Sequence, residues 1–237
     1  MKTSATIWLI TLGLALAGAA ATTRAEGEAA AEGAAAIEPA AASDKVAAAQ
    51  PVIAAEAPVQ VVETFHAGLL DIMKRAQELG QAGRVEEMGP LMGKVFDLDF
   101  MASKAIGTHW RRLSDADKAR WTEVFKRFTT ASYAGRFTGF KGEEFVTLGL
   151  EEAARGTRLV LTKIIVPGED DVQLNYRLLE NDGHWRVIDV YLNGTVSELA
   201  LRRSEYASAL KREGFEELVA AIETKIADLE AKGRADG

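Results

Sequence analysis

Four strand-length runs, at 144–150, 158–166, 171–180 and 184–192, follow one another with only short separators, and that spacing restricts the chain more than any other feature. The separators, 151–156, 167–170 and 181–183, are turn material rich in Gly, Asp, Asn and Glu. Connections this short join neighbouring strands running in opposite directions, so the expected arrangement is an antiparallel meander. Asp182-Gly183 is the sharpest turn signal, because both residues tolerate the left-handed backbone of a two-residue hairpin. In the third run Val172, Leu174, Tyr176 and Leu178 alternate with Gln173, Asn175 and Arg177, which predicts one buried and one wet face. In the fourth, Trp185, Val187 and Tyr191 share a face with Asp189, while Ile188, Val190 and Leu192 lie opposite; both faces then have apolar groups to cover.

Helical periodicity flanks this block on both sides. Val62, Phe65, His66, Leu69, Ile72, Met73 and Ala76 fall on one helical face, and Gly80 or Gly83 is the expected end. A broken helical region follows at 88–96, interrupted by Gly89-Pro90 and Gly93. Asp97 or Asp99 then caps a short helix carrying Phe100, Met101 and Ile106, which stops at Gly107. Ser114 and Asp117 have the spacing of a capping box. The helix they start has an apolar stripe of Trp121, Val124, Phe125 and Phe128 and continues toward Tyr133. After the strands come two more helices, 197–213, closed by Gly214, and 215–232. The expected class is α+β: a curved antiparallel sheet of four strands or slightly more, packed with helices from both chain ends and enclosing an apolar pocket.

The first 25 residues have the form of a secretory signal peptide. Lys2 precedes the apolar Ile7-Trp8-Leu9-Ile10 and the leucines to Leu16, and small residues from Ala17 to Ala21 supply a processing site. The apolar run is about 15 residues, short of the about 20 needed to cross a bilayer. Cleavage is expected between 21 and 25, with export to the periplasm. Residues 26–57 are almost entirely Ala, Glu, Gly and Pro, too poor in large aliphatics to offset ordering entropy, and read as a flexible linker. The folded domain is then expected over 58–232, with 233–237 as a tail. No cysteine is present, so disulfides and thiolate chemistry are excluded and the core alone must hold the fold. The net charge is −7, and −9 once Lys2 and Arg24 are removed. An acidic balance argues against nucleic acid as a partner.

Sites for chemistry are few. His66, His109 and His184 stand apart in the sequence, with no paired-ligand spacing, and no metal or cofactor is expected. His66, on the apolar stripe of its helix, reads as a core histidine with a satisfied hydrogen bond. No nucleophile elbow or phosphate loop occurs. The best enzymatic candidate is Asp189, near Tyr176 and Trp185, as a general base for an isomerase- or dehydratase-like reaction; the more common role of such an acid is structural, paired with an arginine or a helix terminus. Basic residues gather at Arg111-Arg112 and Arg202-Arg203. They are either solvated helix faces or a docking surface for an acidic partner or lipid headgroups.

The order of these elements is familiar. The stretch from Met101-Ala-Ser-Lys-Ala-Ile-Gly-Thr-His-Trp110 to Tyr133, then His184-Trp-Arg-Val-Ile-Asp189, Asn193-Gly194 and Ser197, resembles the MlaC family of toluene-tolerance or ABC-transporter auxiliary proteins. Trp185, Asp189, Gly194 and Ser197 stand where that family usually has Trp, Asp, Gly and Ser, although Thr195-Val196 makes the last interval slightly longer. The segment 189–206 looks most like the hopanoid-associated HpnM branch. The resemblance implies a periplasmic lipid carrier rather than an enzyme, carrying a hopanoid or a phospholipid between an inner-membrane transport complex and an outer-membrane donor or acceptor. The apolar positions expected to face its pocket are Phe65, Leu69, Met73, Phe100, Phe125, Phe128, Leu174, Tyr176, Trp185, Val187 and Tyr191; each would serve equally as plain core. A scaffold that docks through the linker and the basic helices, with no ligand, is the remaining alternative.

Overall fold

The computed structural model describes residues 57–235, with side chains as far as Lys232. The signal peptide and nearly all of the expected linker lie outside the described residues. The elements are helices α1 (Ala57–Lys74), α2 (Ala76–Val95) and α3 (Leu98–Ala105), a 3-10 turn at Gly107–Arg112, and helix α4 (Asp115–Arg136). Strands β1 (Glu144–Ala153), β2 (Thr157–Ile165), β3 (Val172–Asn181), β4 (His184–Leu192) and β5 (Val196–Ser197) follow, then α5 (Glu198–Arg212) and α6 (Phe215–Ala235). The sheet order is β1-β2-β3-β4-β5, antiparallel throughout, so the expected meander gains one short strand. Asp182 (φ 50°) and Gly183 (φ 75°) both take the left-handed backbone that the β3–β4 hairpin requires.

Capping chemistry sets the helix starts. Asp97, not Asp99, caps α3 by accepting from the Phe100 amide at 2.9 Å. The Ser114 hydroxyl accepts from the Asp117 amide at 3.1 Å to start α4. The Asp117 carboxylate accepts a hydrogen bond from that same hydroxyl at 2.6 Å rather than reaching back to a backbone amide. The first helix differs from expectation. It ends at Lys74, Gly80 (φ 58°, ψ −173°) only kinks α2, and Gly83 lies within α2. Gly89-Pro90 and Gly93 do not interrupt α2 either: Pro90 and Glu86 are both exposed, so the hydrogen bond that Pro90 fails to donate is lost on the solvent side.

Arg84, buried in α2, ties that helix to the end of α4. Its guanidinium donates to the Ala134 carbonyl at 2.9 Å, the Ala76 carbonyl at 2.9 Å and Gln81 Oε1 at 2.8 Å, and Gln81 donates to the Ala131 carbonyl at 3.3 Å. A helix leaves its last carbonyls unpartnered, and a cation there also complements the helix dipole. The helical layer itself closes around Trp121, which is fully buried and meets Tyr206 edge-on at 5.3 Å, while its Nε1 donates to the Ala102 carbonyl at 2.9 Å.

Two bulges curve the sheet, one at Leu148 in β1 and one at Ile188 in β4, where the register passes from Arg177↔Asp189 to Leu178↔Val187. The second reverses the alternation read from β4. Val187 stays on the inner face opposite Leu178, but beyond the bulge the inner residues are Val190 and Leu192, opposite Tyr176 and Leu174. Asp189 and Tyr191 therefore point to the outer face, against the expectation that Tyr191 shares the side of Trp185 and Val187. The outer face of β3 is not uniformly wet: Asn175 is buried, with its Oδ1 3.3 Å from the Thr162 amide and its Nδ2 3.5 Å from the Gly194 carbonyl. Gly194 takes a left-handed backbone (φ 75°) that favours glycine, and a Cβ there would also have to displace the end of the Gln173 side chain, 2.7 Å away.

Candidate functional site

The inner face of the sheet meets α1 and α4 along an aromatic seam. Phe65 of α1 packs edge-on against Phe96 at 5.0 Å, Tyr133 at 6.1 Å and Tyr176 at 6.2 Å. Beside them is a cavity of about 30 Å³, walled by Phe65 and Leu69 from α1, Tyr133, Arg136 and Phe137 from the end of α4, Val172, Leu174 and Tyr176 from β3, Val190 and Leu192 from β4, and Glu198 from α5. A second cavity of about 20 Å³ adjoins Tyr133 and Glu198 from the other side, among Phe96, Met101, Phe125, Thr129, Ser132, Leu199 and Arg202. Each has room for a water molecule or two. The expected pocket is thus a nearly filled core in this structure, because the aromatic side chains occupy the space that the curled sheet encloses.

One end of the first cavity is polar. Arg136 Nη2 lies 3.0 Å from Glu198 Oε1, and the Tyr133 hydroxyl donates to Glu198 Oε2 at 3.4 Å. Burial raises the Tyr133 pKa far above that of a free tyrosine, and the Glu198 carboxylate adds to the shift. Next to the wall residue Tyr176, His66 Nε2 and the Tyr176 hydroxyl are 3.0 Å apart, and the imidazole stacks on Phe145 at 4.2 Å. Burial pushes the His66 pKa down to about 3, so the ring is neutral at physiological pH. His66 is a hydrogen-bonded core histidine.

Residues 63–224, running from α1 into α6, match the family described as MlaC protein. The chain belongs to that family. Among solved structures, this MlaC-family chain is similar to a phospholipid-binding protein from Ralstonia solanacearum in complex with a phospholipid, with a TM-score of 0.63 and 21% identity over 74% of this chain and 99% of that one. At that identity the likeness shows the shared α+β fold. No curated protein matches the chain.

Of the residues expected to line a pocket in this MlaC-family protein, Phe65, Leu69, Leu174 and Tyr176 converge on the first cavity, and Phe125 borders the second. Met73 and Val187 are buried without touching either, and Val187 bridges to Phe96. Phe128 lies under the Arg202 guanidinium at 4.9 Å, and half-buried Phe100 under Lys104 at 4.8 Å. Trp185 borders a surface groove with Lys94, His184 and Arg186. Tyr191, on the outer face, has the Arg177 guanidinium 5.7 Å from its ring. The first cavity is also walled by Tyr133, Arg136, Phe137, Val190, Leu192 and Glu198, which the sequence does not single out for a pocket. Arg136 and Phe137 lie one helical turn beyond Tyr133, but Tyr133 and Phe137 lie off the Trp121–Phe128 stripe and Arg136 is charged, so periodicity does not single them out; Glu198 carries no signal either.

Asp189 is turned away from the cavity. Its carboxylate accepts from the Ser197 hydroxyl at 2.6 Å, the Leu199 amide at 3.1 Å and its neighbour Val190 at 2.9 Å, while Ser197 in turn accepts from the Ala200 amide at 2.9 Å. Burial raises the Asp189 pKa, and these donors pull it back. The acid braces the start of α5 and so fixes Glu198, the next residue after Ser197. Asp189→Ala is expected to cost about 2 kcal/mol, since it removes a buried acceptor and a helix cap together. Urea unfolding checks the value, and an unchanged midpoint would contradict the brace.

The basic residues divide. Arg111, Arg112 and Arg203 are exposed, whereas the Arg202 side chain is only 12% exposed and turns inward to Glu198, Glu205 and Phe128, so it does not join a docking surface. Among the described residues no cluster of His, Asp and Glu fits a metal ion, and no helix is long and apolar enough to cross a membrane.

Proposed function

We propose that this MlaC-family chain is a lipid carrier, exported to the periplasm by residues 1–25, which moves a phospholipid or hopanoid between inner and outer membranes as the soluble part of an ABC-type transport system. The observation that carries this reading is the apolar seam between the sheet and α1/α4, with its cavity, in a fold shared with a protein crystallised with phospholipid. Each methylene removed from water gains about 0.8 kcal/mol, so enclosing an acyl chain holds it without covalent chemistry. Ligand pockets run to about 300–1,000 Å³. Loading a cavity of about 30 Å³ therefore requires the sheet to separate from α1 and α4, with Phe65, Leu69, Leu174 and Tyr176 becoming the wall. Phospholipid is favoured by the ligand of the similar structure, and hopanoid by the likeness of segment 189–206 to the HpnM branch. The exposed Arg111, Arg112 and Arg203 are candidates for contact with the membrane complexes.

Organic extraction of the purified protein followed by mass spectrometry tests the reading. One phospholipid or hopanoid per chain is expected, and the mass identifies which. An empty extract, with no uptake of either lipid from vesicles, would sink it.

A further inference from the structure

The two cavities are separated by charge. Tyr133 and Glu198 border both. Arg136 from α4 and Arg202 from α5 converge on the same carboxylate oxygen, Glu198 Oε1, at 3.0 and 3.9 Å. All three side chains are mostly buried, at 17%, 12% and 16% exposure for Arg136, Arg202 and Glu198. Arg202 Nη1 lies 4.0 Å from Glu205 Oε2, too far for a hydrogen bond, and these two atoms and the nearby Ser132 hydroxyl, all buried, have no hydrogen-bond partner. A purely structural ion cluster normally satisfies its buried donors. This one leaves two donors and one acceptor unsatisfied, with Ser132 and Arg202 bordering the second cavity.

Resting on the carrier reading, we infer that Arg136 and Arg202 form an internal subsite for the anionic group of an amphiphilic cargo, a phosphate or a carboxylate, and that Glu198 occupies the position this group takes when it binds. The charges support an exchange. Two arginines and the carboxylates of Glu198 and Glu205 are neutral together, and turning Glu198 outward leaves one positive charge, the complement of a phosphodiester or a carboxylate. Glu198 is the first residue of α5, where a side chain moves with least disturbance to the helix. Guanidinium groups suit the role because they present forked donors to oxyanions. The chain of the cargo would then extend into the space between Leu69, Leu174 and Tyr176.

Isothermal titration with dodecyl phosphate, laurate and uncharged dodecanol separates the possibilities. For the unaltered protein, both anions should bind more tightly than dodecanol, and the stronger of the two identifies the headgroup chemistry. Arg136→Gln should weaken the preferred anion about tenfold or more, with dodecanol changed less than about twofold. Glu198→Gln, which removes the competing carboxylate, should strengthen the anion severalfold and leave dodecanol alone. Arg136→Lys, which keeps the charge, should fall between if Arg136→Gln does not fold. Equal effects on all three ligands, or no gain from Glu198→Gln, would overturn the subsite while leaving the carrier intact. Failure of the unaltered protein to take up any of them would instead count against the carrier reading itself.

Discussion

Trp121→Ala is expected to lower folding stability by about 4 kcal/mol, the middle of the range for emptying a large buried aromatic site. The side chain is fully buried where α3, α4, α5 and α6 meet, with Phe125, Tyr206 and Phe215 around it. Truncation loses the transfer energy of the indole, opens a cavity that four helices cannot collapse together to fill, and strips the Ala102 carbonyl of its donor. Domains of this kind are stable by only about 5–15 kcal/mol, so the variant should lie near the edge of folding at 37 °C. Trp121→Phe should recover more than half of the loss. Urea midpoints of both variants provide the check, and a loss below about 1 kcal/mol would show that the helical layer repacks freely.

Stability is also expected to fall steeply on acidification, beginning near pH 6.5. The His66 pKa drops from 6.5 in the unfolded chain to about 3 in the fold, because burial disfavours the imidazolium. Between those values the unfolded state binds a proton that the native state refuses, so the contribution is complete above pH 6.5 and declines as pH falls toward 3. By pH 4.5 the loss should be about 2–3 kcal/mol, at about 1.4 kcal/mol per pH unit. Asp189 acts in the opposite sense: its pKa is raised by burial, so protonation at low pH favours the fold. His66→Gln removes the titrating group and should flatten the profile between pH 6.5 and 4.5, whatever it costs at neutral pH. An unaltered slope in that variant would assign the acid sensitivity elsewhere. Because His66 holds Tyr176, a wall of the first cavity, acid weakening would begin at the sheet–helix seam.

The parts of this protein that could be read from the sequence are those set by local physics. Alternation of two and the Asp182-Gly183 turn depend on neighbours along the chain, and so do the Ser114 cap, the Asp97 cap and the stripe ending in Trp121, Phe125 and Phe128. They yield the α+β class, the meander and most of the core. His66 as a bonded core residue and Asp189 as a helix-terminus acid follow the same logic, since a polar group on an apolar face has to find a partner.

The remainder depends on pairing between segments far apart in the sequence. The bulge at Ile188 arises from the match of β4 to β3, and one extra residue moves Tyr191 and Asp189 to the outer face and brings Val190 and Leu192 inside. Arg84 is buried because the carbonyls at the end of α4 lie against it, and Arg202 turns inward where the fold brings Glu198 and the Phe128 ring beside it. Cavity size is decided the same way, since the aromatic residues that predict a pocket also fill it. Composition and periodicity establish which residues leave water; which of them enclose space, and which charges accompany them, is decided only when the sheet closes on the helices.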